Sequence, residues 1–173
     1  TKLARALAQS QLQLHYQPKV HLATGALCGV EALSRWCDED GHWISPGEFI
    51  PVAEERGLIG ELGDWTLTQA ARDIAYWQQA GAAVVPRVAV NVSAAQMMDE
   101  GFAERAERLV RAQGVAPGMI ELEMTESALM NEPEKARLVA SSLVEAGFCL
   151  SIDDFGTGYS SLERLQSFPV FKL

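Results

Sequence analysis

The chain is 173 residues long, 48% hydrophobic and 21% charged, which is enough apolar side chain to bury a core and too much for a disordered tail. Its 14 Lys and Arg against 23 Asp and Glu leave a net charge of −9, which excludes the broad cationic surface that DNA or RNA binding requires. A phosphate-bearing ligand would need a few placed arginines or bound metal ions instead. The longest apolar runs fall short of the roughly 18–20 residues of a membrane span, and no basic region precedes an apolar run at the N-terminus. Cys28, Cys37 and Cys149 are odd in number and lack ligand-like spacing, so they read as reduced thiols of a cytoplasmic protein, with Cys149 in the core.

In chain order, Leu3, Ala4 and Leu7 recur at helical spacing, and residues 1–11 read as the end of a connecting helix, with a domain spanning 12–173. Strands are predicted at 13–20 and 25–34, joined by a link too short for a helical crossover and therefore paired antiparallel. A loop at 38–43 contains His42, and a short helix follows Ser45 with Pro46 in its first turn. A helix at 65–80 carries Leu67, Ala70, Ala71, Ile74 and Trp77 on one face and stops at Gly81. The tryptophans Trp65 and Trp77 read as packing groups. After a strand at 87–93, a helix at 102–113 ends at Gly114, and a strand follows at 119–124. The last predicted helix, 132–146, has Asn131 and Glu134 as a capping pair and Gly147 as its stop. Strands at 148–153 and from about 170 complete the series. Apolar runs alternating with helical periods mark βα units feeding a largely parallel sheet, an α/β fold.

Spacing supplies the functional clue. About 30 positions separate Asn91 from Glu123 and Glu123 from Asp153, one βα unit each, so each polar residue ends a hydrophobic strand. Glu31 stands likewise near the end of the second strand. In a barrel of βα units these ends converge on one face, where active sites of such folds are built. A lone Glu at a strand end is ordinarily a solvated loop residue, and Asn91 alone could satisfy a turn. Four such positions together point to a carboxylate cluster that needs protons or hard cations to offset its self-repulsion. Oxygen donors without Cys or a suitably placed His favour Mg²⁺ or Mn²⁺. The adjacent Asp153 and Asp154 suit two ions sharing a bridging carboxylate, the arrangement of in-line phosphodiester hydrolysis. His15, His21 and His42 lie far from this cluster in sequence.

Six blocks resemble the EAL-domain cyclic-di-GMP phosphodiesterases in order and spacing: Tyr16-Gln17-Pro18; Glu31-Ala32-Leu33-Ser34-Arg35-Trp36; Ser45-Pro46-Gly47-Glu48-Phe49-Ile50-Pro51; Asn91-Val92-Ser93; Glu121-Leu122-Glu123-Met124-Thr125-Glu126-Ser127; and Asp153-Asp154-Phe155-Gly156-Thr157-Gly158-Tyr159. The resemblance implies a TIM-like (β/α)8 barrel with an antiparallel first strand pair. Five strands and the start of a sixth are predicted here, against the eight strands and about 250 residues of a closed barrel, so the domain reads as truncated before its C-terminal strands. It implies that Glu31, Asn91, Glu123 and Asp153 ligate one ion, Asp153 and Asp154 a second, and that Glu126 holds the loop after Asp153. It implies that Gln17, Leu33 and Arg35 contact the dinucleotide, an arginine fork being suited to bidentate phosphate contact, with a surface ion pair as the alternative for Arg35. Lys172 falls one position short of the family's catalytic lysine. Hydrolysis to linear pGpG, a homodimer coupled to the loop after Asp154, and an upstream sensor or GGDEF domain are further implications. The rival reading is a catalytically inactive EAL domain serving as a cyclic-di-GMP receptor or protein-interaction module.

Overall fold

A computed structural model describes residues 2–9, 11–153 and 168–169. Among the described residues the sheet has six strands, in the order β1 (Leu12–Val20), β2 (Leu27–Cys37), β4 (Val88–Val92), β5 (Ile120–Thr125) and β6 (Cys149–Asp153), with the short β3 (Trp43–Ile44) paired to β2. Strands β1 and β2 form the expected antiparallel hairpin, and β3 folds back antiparallel on the end of β2. From β2 onward, β4, β5 and β6 run parallel. The predicted strand from about 170 lies outside the described residues.

Strict alternation within the parallel strands gives the sheet two different faces. Val88, Val90 and Val92 of β4, Ile120, Leu122 and Met124 of β5, and Leu150 and Ile152 of β6 all point one way and are buried. They meet the apolar stripes of α3 (Ile59–Gln79), α5 (Phe102–Arg111) and α7 (Pro133–Glu145), represented by Ile74, Phe102, Val110, Val139 and Leu143. This outer layer is the main core. A second cluster forms where α1 (Lys2–Ala8) and α2 (Pro46–Glu55) cover the end of the hairpin: Leu3, Ala6, Leu12, Trp36, Phe49, Ala53 and Leu62. In it Trp36 and Phe49 meet edge to face, with centroids 6.0 Å apart. Trp77 packs edge-on to Tyr16 at 5.0 Å, and Trp65 borders the second cluster, so both tryptophans are packing groups as expected.

Local chemistry explains most boundaries. Ser45 and Glu48 make a reciprocal capping box with Pro46 at the first position of α2. Gly81, Gly114 and Gly147 follow α3, α5 and α7 with φ of 72°, 77° and 100°, the left-handed stops their positions require. Three expectations need correction. Asn131 does not cap α7: it closes the preceding α6 (Glu126–Met130) in helical conformation, so the N-cap position passes to Glu132, which makes no side-chain cap, while Glu134 pairs with Arg137 at 3.2 Å. Helix α3 begins at Ile59 rather than 65, because burial of Leu62 and Gly63 outweighs the low helix propensity of its glycines. Cys149 is half-buried rather than a core residue, since it shares the inner face of β6 with Ser151 and Asp153 while its neighbour Leu150 takes the core side. All three cysteines are free, and no helix among the described residues is long and apolar enough to cross a membrane.

Candidate active site

The inner face carries the opposite chemistry. Cross-strand register puts Gln17 opposite Glu31 and Lys19 opposite Gly29 on β1 and β2, then Glu31 beside Ala89, Asn91 beside Glu123, and Glu123 beside Ser151. Because side chains alternate with a period of two, Gln17, Lys19, Glu31, Leu33, Arg35, Asn91, Glu121, Glu123, Ser151 and Asp153 all belong to this one face. The resemblance named eight described site residues besides Asp154, and seven of them fall here.

Contacts join the central members. Asn91 Nδ2 donates to Glu31 Oε1 at 2.9 Å, linking β4 to β2. Glu123 is 7% exposed; its Oε1 accepts from Ser151 Oγ at 3.5 Å and forms an ion pair with Lys19 Nζ. Burial raises the Glu123 carboxyl above the usual range, Lys19 pulls it back, and the charges of Glu31 and Glu121 push the same way as burial. Asp153 is exposed at the end of β6, two positions beyond Ser151 and opposite Thr125. Glu126 is buried at the first position of α6, whose N-cap Thr125 accepts from Ala128 N. Asp154 and the loop that Glu126 is implied to hold lie outside the described residues, as does Lys172.

The Asn91-Val92-Ser93 block has a structural cause. Asn91 supplies the inner face, Val92 the core, and Ser93 caps α4 (Ala94–Met97) through a reciprocal box with Gln96: Gln96 N donates to Ser93 Oγ at 3.3 Å, and Ser93 N donates to Gln96 Oε1 at 3.0 Å. Gln96 is buried and fixes the chain immediately after Asn91. It also lines a cavity of about 350 Å³ with Leu33, Arg35, Pro46, Ile50 and Asn91, so the polar row opens into a largely apolar recess. Arg35 Nη1 donates to the Ser34 carbonyl at 3.0 Å, and the guanidinium enters no ion pair among the described residues.

The donor set fits a hard divalent cation. Its atoms are carboxylate and amide oxygens, one carboxylate is buried, and a cationic ammonium already stands against it. Glu31, Asn91 and Glu123 could serve one ion, with Asp153 on the same face two positions beyond Ser151. Elsewhere, ligand atoms of Asp38, Asp40 and His42 lie within 4.8 Å of one another in the β2–β3 turn. There Asp38 Oδ1 accepts from the backbone N–H groups of His42 (2.8 Å) and Asp40 (3.0 Å), which hold its carboxyl below the usual range; this is a turn-forming aspartate at the surface. Lys19 was not singled out from sequence. Its parity with Gln17 on β1 was a usable signal for its face, but its partner lies three strands away in the sheet order, on β5.

Comparison with known proteins agrees with this geometry. The EAL domain family model matches residues 1–173. The chain is 40% identical over 171 residues to the bifunctional diguanylate cyclase/cyclic di-GMP phosphodiesterase MucR of Pseudomonas aeruginosa, covering 99% of this chain and 25% of that protein. It is 40% identical over 172 residues to a cyclic di-GMP phosphodiesterase of the same organism, covering 98% and 29%. Among solved structures, it superposes on the MucR phosphodiesterase in complex with c-di-GMP with a TM-score of 0.90 at 40% identity, covering 98% of this chain and 68% of that one. The EAL enzyme Bd1971 in its cAMP and cyclic-di-GMP bound form gives 0.85 at 29% identity, covering 97% and 46%. The curated relatives are much longer, this chain spanning 20% to 29% of their length. On a family match over its whole length and on these relatives, the chain belongs to the EAL domain family.

Proposed function

We propose that the protein containing this chain hydrolyses cyclic-di-GMP to linear pGpG, using Mg²⁺ or Mn²⁺ at two positions. The observation that carries this reading is the inner-face row: Asn91 bonded to Glu31 and in register with Glu123, Asp153 on the same face, and an apolar cavity opening beside Asn91. The named activities of the MucR and second Pseudomonas relatives support the same substrate.

Each residue has a physical role in the reading. Glu31, Asn91, Glu123 and Asp153 hold the first cation, and Asp153 with Asp154 the second. When bound, the cations supply positive charge for the scissile phosphate and acidify water. Arg35 receives a phosphate oxygen, Leu33 offers apolar surface to a base in the cavity, and Gln17 hydrogen-bonds the dinucleotide from β1. Glu126 orients the loop after Asp153. Overall, water adds to one phosphorus, the P–O3′ bond breaks, and the freed 3′ oxygen takes a proton, leaving a 5′-phosphate on the linear product. A homodimer, an upstream sensor or GGDEF domain and a cytoplasmic setting belong to the same proposal. The bifunctional name of MucR supports the second of these, and the free cysteines support the third.

The test uses the full-length protein with cyclic-di-GMP and Mg²⁺, followed by chromatography of the nucleotides. Conversion to pGpG that stops on chelation is expected. Tight binding without conversion at either metal would instead establish the receptor reading.

A further inference from the structure

The Lys19–Glu123 ion pair has no place in the proposed reaction. Lys19 lies on β1 and Glu123 on β5, and the inner-face position opposite Lys19 is Gly29, with Ala89 on the neighbouring β4. Gly29 puts no side chain beside Lys19, while Ala89 pairs with Glu31, so the face between the two charged residues carries a further carboxylate. The ammonium approaches the same Glu123 Oε1 that takes the Ser151 hydroxyl, an oxygen of the carboxylate expected to meet metal. Lys19 keeps 28% of its side chain exposed while Glu123 keeps 8%, so the carboxylate is fixed and the lysine has a route to solvent on its flexible stem.

A buried carboxylate without a counter-charge is costly, and the row contains Glu31 and Glu121 as well. We propose that Lys19 is a resident counter-ion of the metal site: it neutralises Glu123 while the protein is metal-free and leaves as a divalent cation binds, so that metal loading is an exchange of one cation for another. This rests on the reading of Glu123 as a metal ligand. The consequence is a built-in competitor that weakens metal affinity and offsets part of the burial cost of Glu123 when no metal is bound.

The experiment titrates Mn²⁺ into full-length wild type, Lys19→Met and Lys19→Arg without nucleotide, reading free Mn²⁺ by electron paramagnetic resonance and thermal stability in parallel. Lys19→Met should bind Mn²⁺ on the order of tenfold more tightly than wild type, because a like charge at close range has gone. Lys19→Arg, which retains the charge, should stay close to wild type. The Met variant should melt lower than wild type without metal and recover on Mn²⁺ addition; should it fail to fold metal-free, Lys19→Gln takes its place in the affinity comparison. Equal or weaker Mn²⁺ binding by the charge-removing variant, with wild type binding normally, overturns the exchange while leaving the metal site standing. No Mn²⁺ binding by wild type overturns both.

Discussion

The two faces of one sheet divide the work of this molecule. On β5, Leu122 and Glu123 are adjacent in the chain and both buried, yet Leu122 enters the apolar layer under the helices while Glu123 joins the row shared with Lys19, Asn91 and Ser151. Burial therefore does not separate core from site here; parity along the strand does. The outer face should govern stability and the inner face chemistry, and substitutions on each can break that division.

The largest stability effect is expected on the outer face. Leu122→Ala removes a side chain with no exposure and should cost about 2–5 kcal/mol in urea denaturation, while Mn²⁺ affinity of the folded protein stays near wild type. Next comes Arg35 on the inner face: Arg35→Ala should weaken cyclic-di-GMP binding, measured by calorimetry in chelator, by about 1.5–3 kcal/mol with little change in stability. An unchanged dissociation constant would remove Arg35 from the site.

A third substitution falls where the faces are coupled. A Cβ at Gly63 of α3 would lie 2.8 Å from Cδ of Gln96, the residue that locks the turn after Asn91. Gly63→Ala should cost about 1–3 kcal/mol through that overlap and also weaken metal binding; a purely stability-based loss would show the coupling absent. The smallest effect is expected away from both faces. Arg105 binds Asp99 at 2.8 Å and Asp64 at 3.0 Å, and with the Gly101 N–H it holds the Asp99 carboxyl below the usual range. A depressed carboxylate stabilises above its unfolded pKa and loses that contribution as pH falls through the folded value. The Asp99 side chain is half-exposed and its ion pair is screened by solvent, so Asp99→Asn should cost less than about 1 kcal/mol at pH 7. The difference should fade below about pH 4 in urea titrations.

Much of this arrangement was legible in the sequence because period-two alternation and βα spacing are local signals. Asn91, Glu123 and Asp153 follow from strand ends at regular intervals, and the glycine stops at 81, 114 and 147 follow from helix chemistry; Glu31, expected near a strand end, lies inside β2, because that strand continues to Cys37 where it pairs with β3. What was illegible depends on tertiary partners. The first turns of α3 are helical because Leu62 and Gly63 are buried, against the glycine content of that segment. Asn131 had a good capping composition but was already committed to closing α6. Lys19 finds Glu123 across the sheet, a pairing that no local window contains. Tyr16 donates to Asp73 Oδ2 at 2.5 Å, with burial and that carboxylate raising its pKa, and ties β1 to α3 through the same kind of long-range choice.

The central claim, that the inner-face carboxylates are a divalent-cation site built on an independently stable outer core, is tested most directly by Glu123→Gln in the full-length protein, with Mn²⁺ binding and urea stability measured on the same sample. Loss of Mn²⁺ binding is predicted, with stability within about 1 kcal/mol of wild type, because removing a buried charge offsets the loss of a partly exposed ion pair. Wild-type Mn²⁺ affinity in that variant would contradict the account.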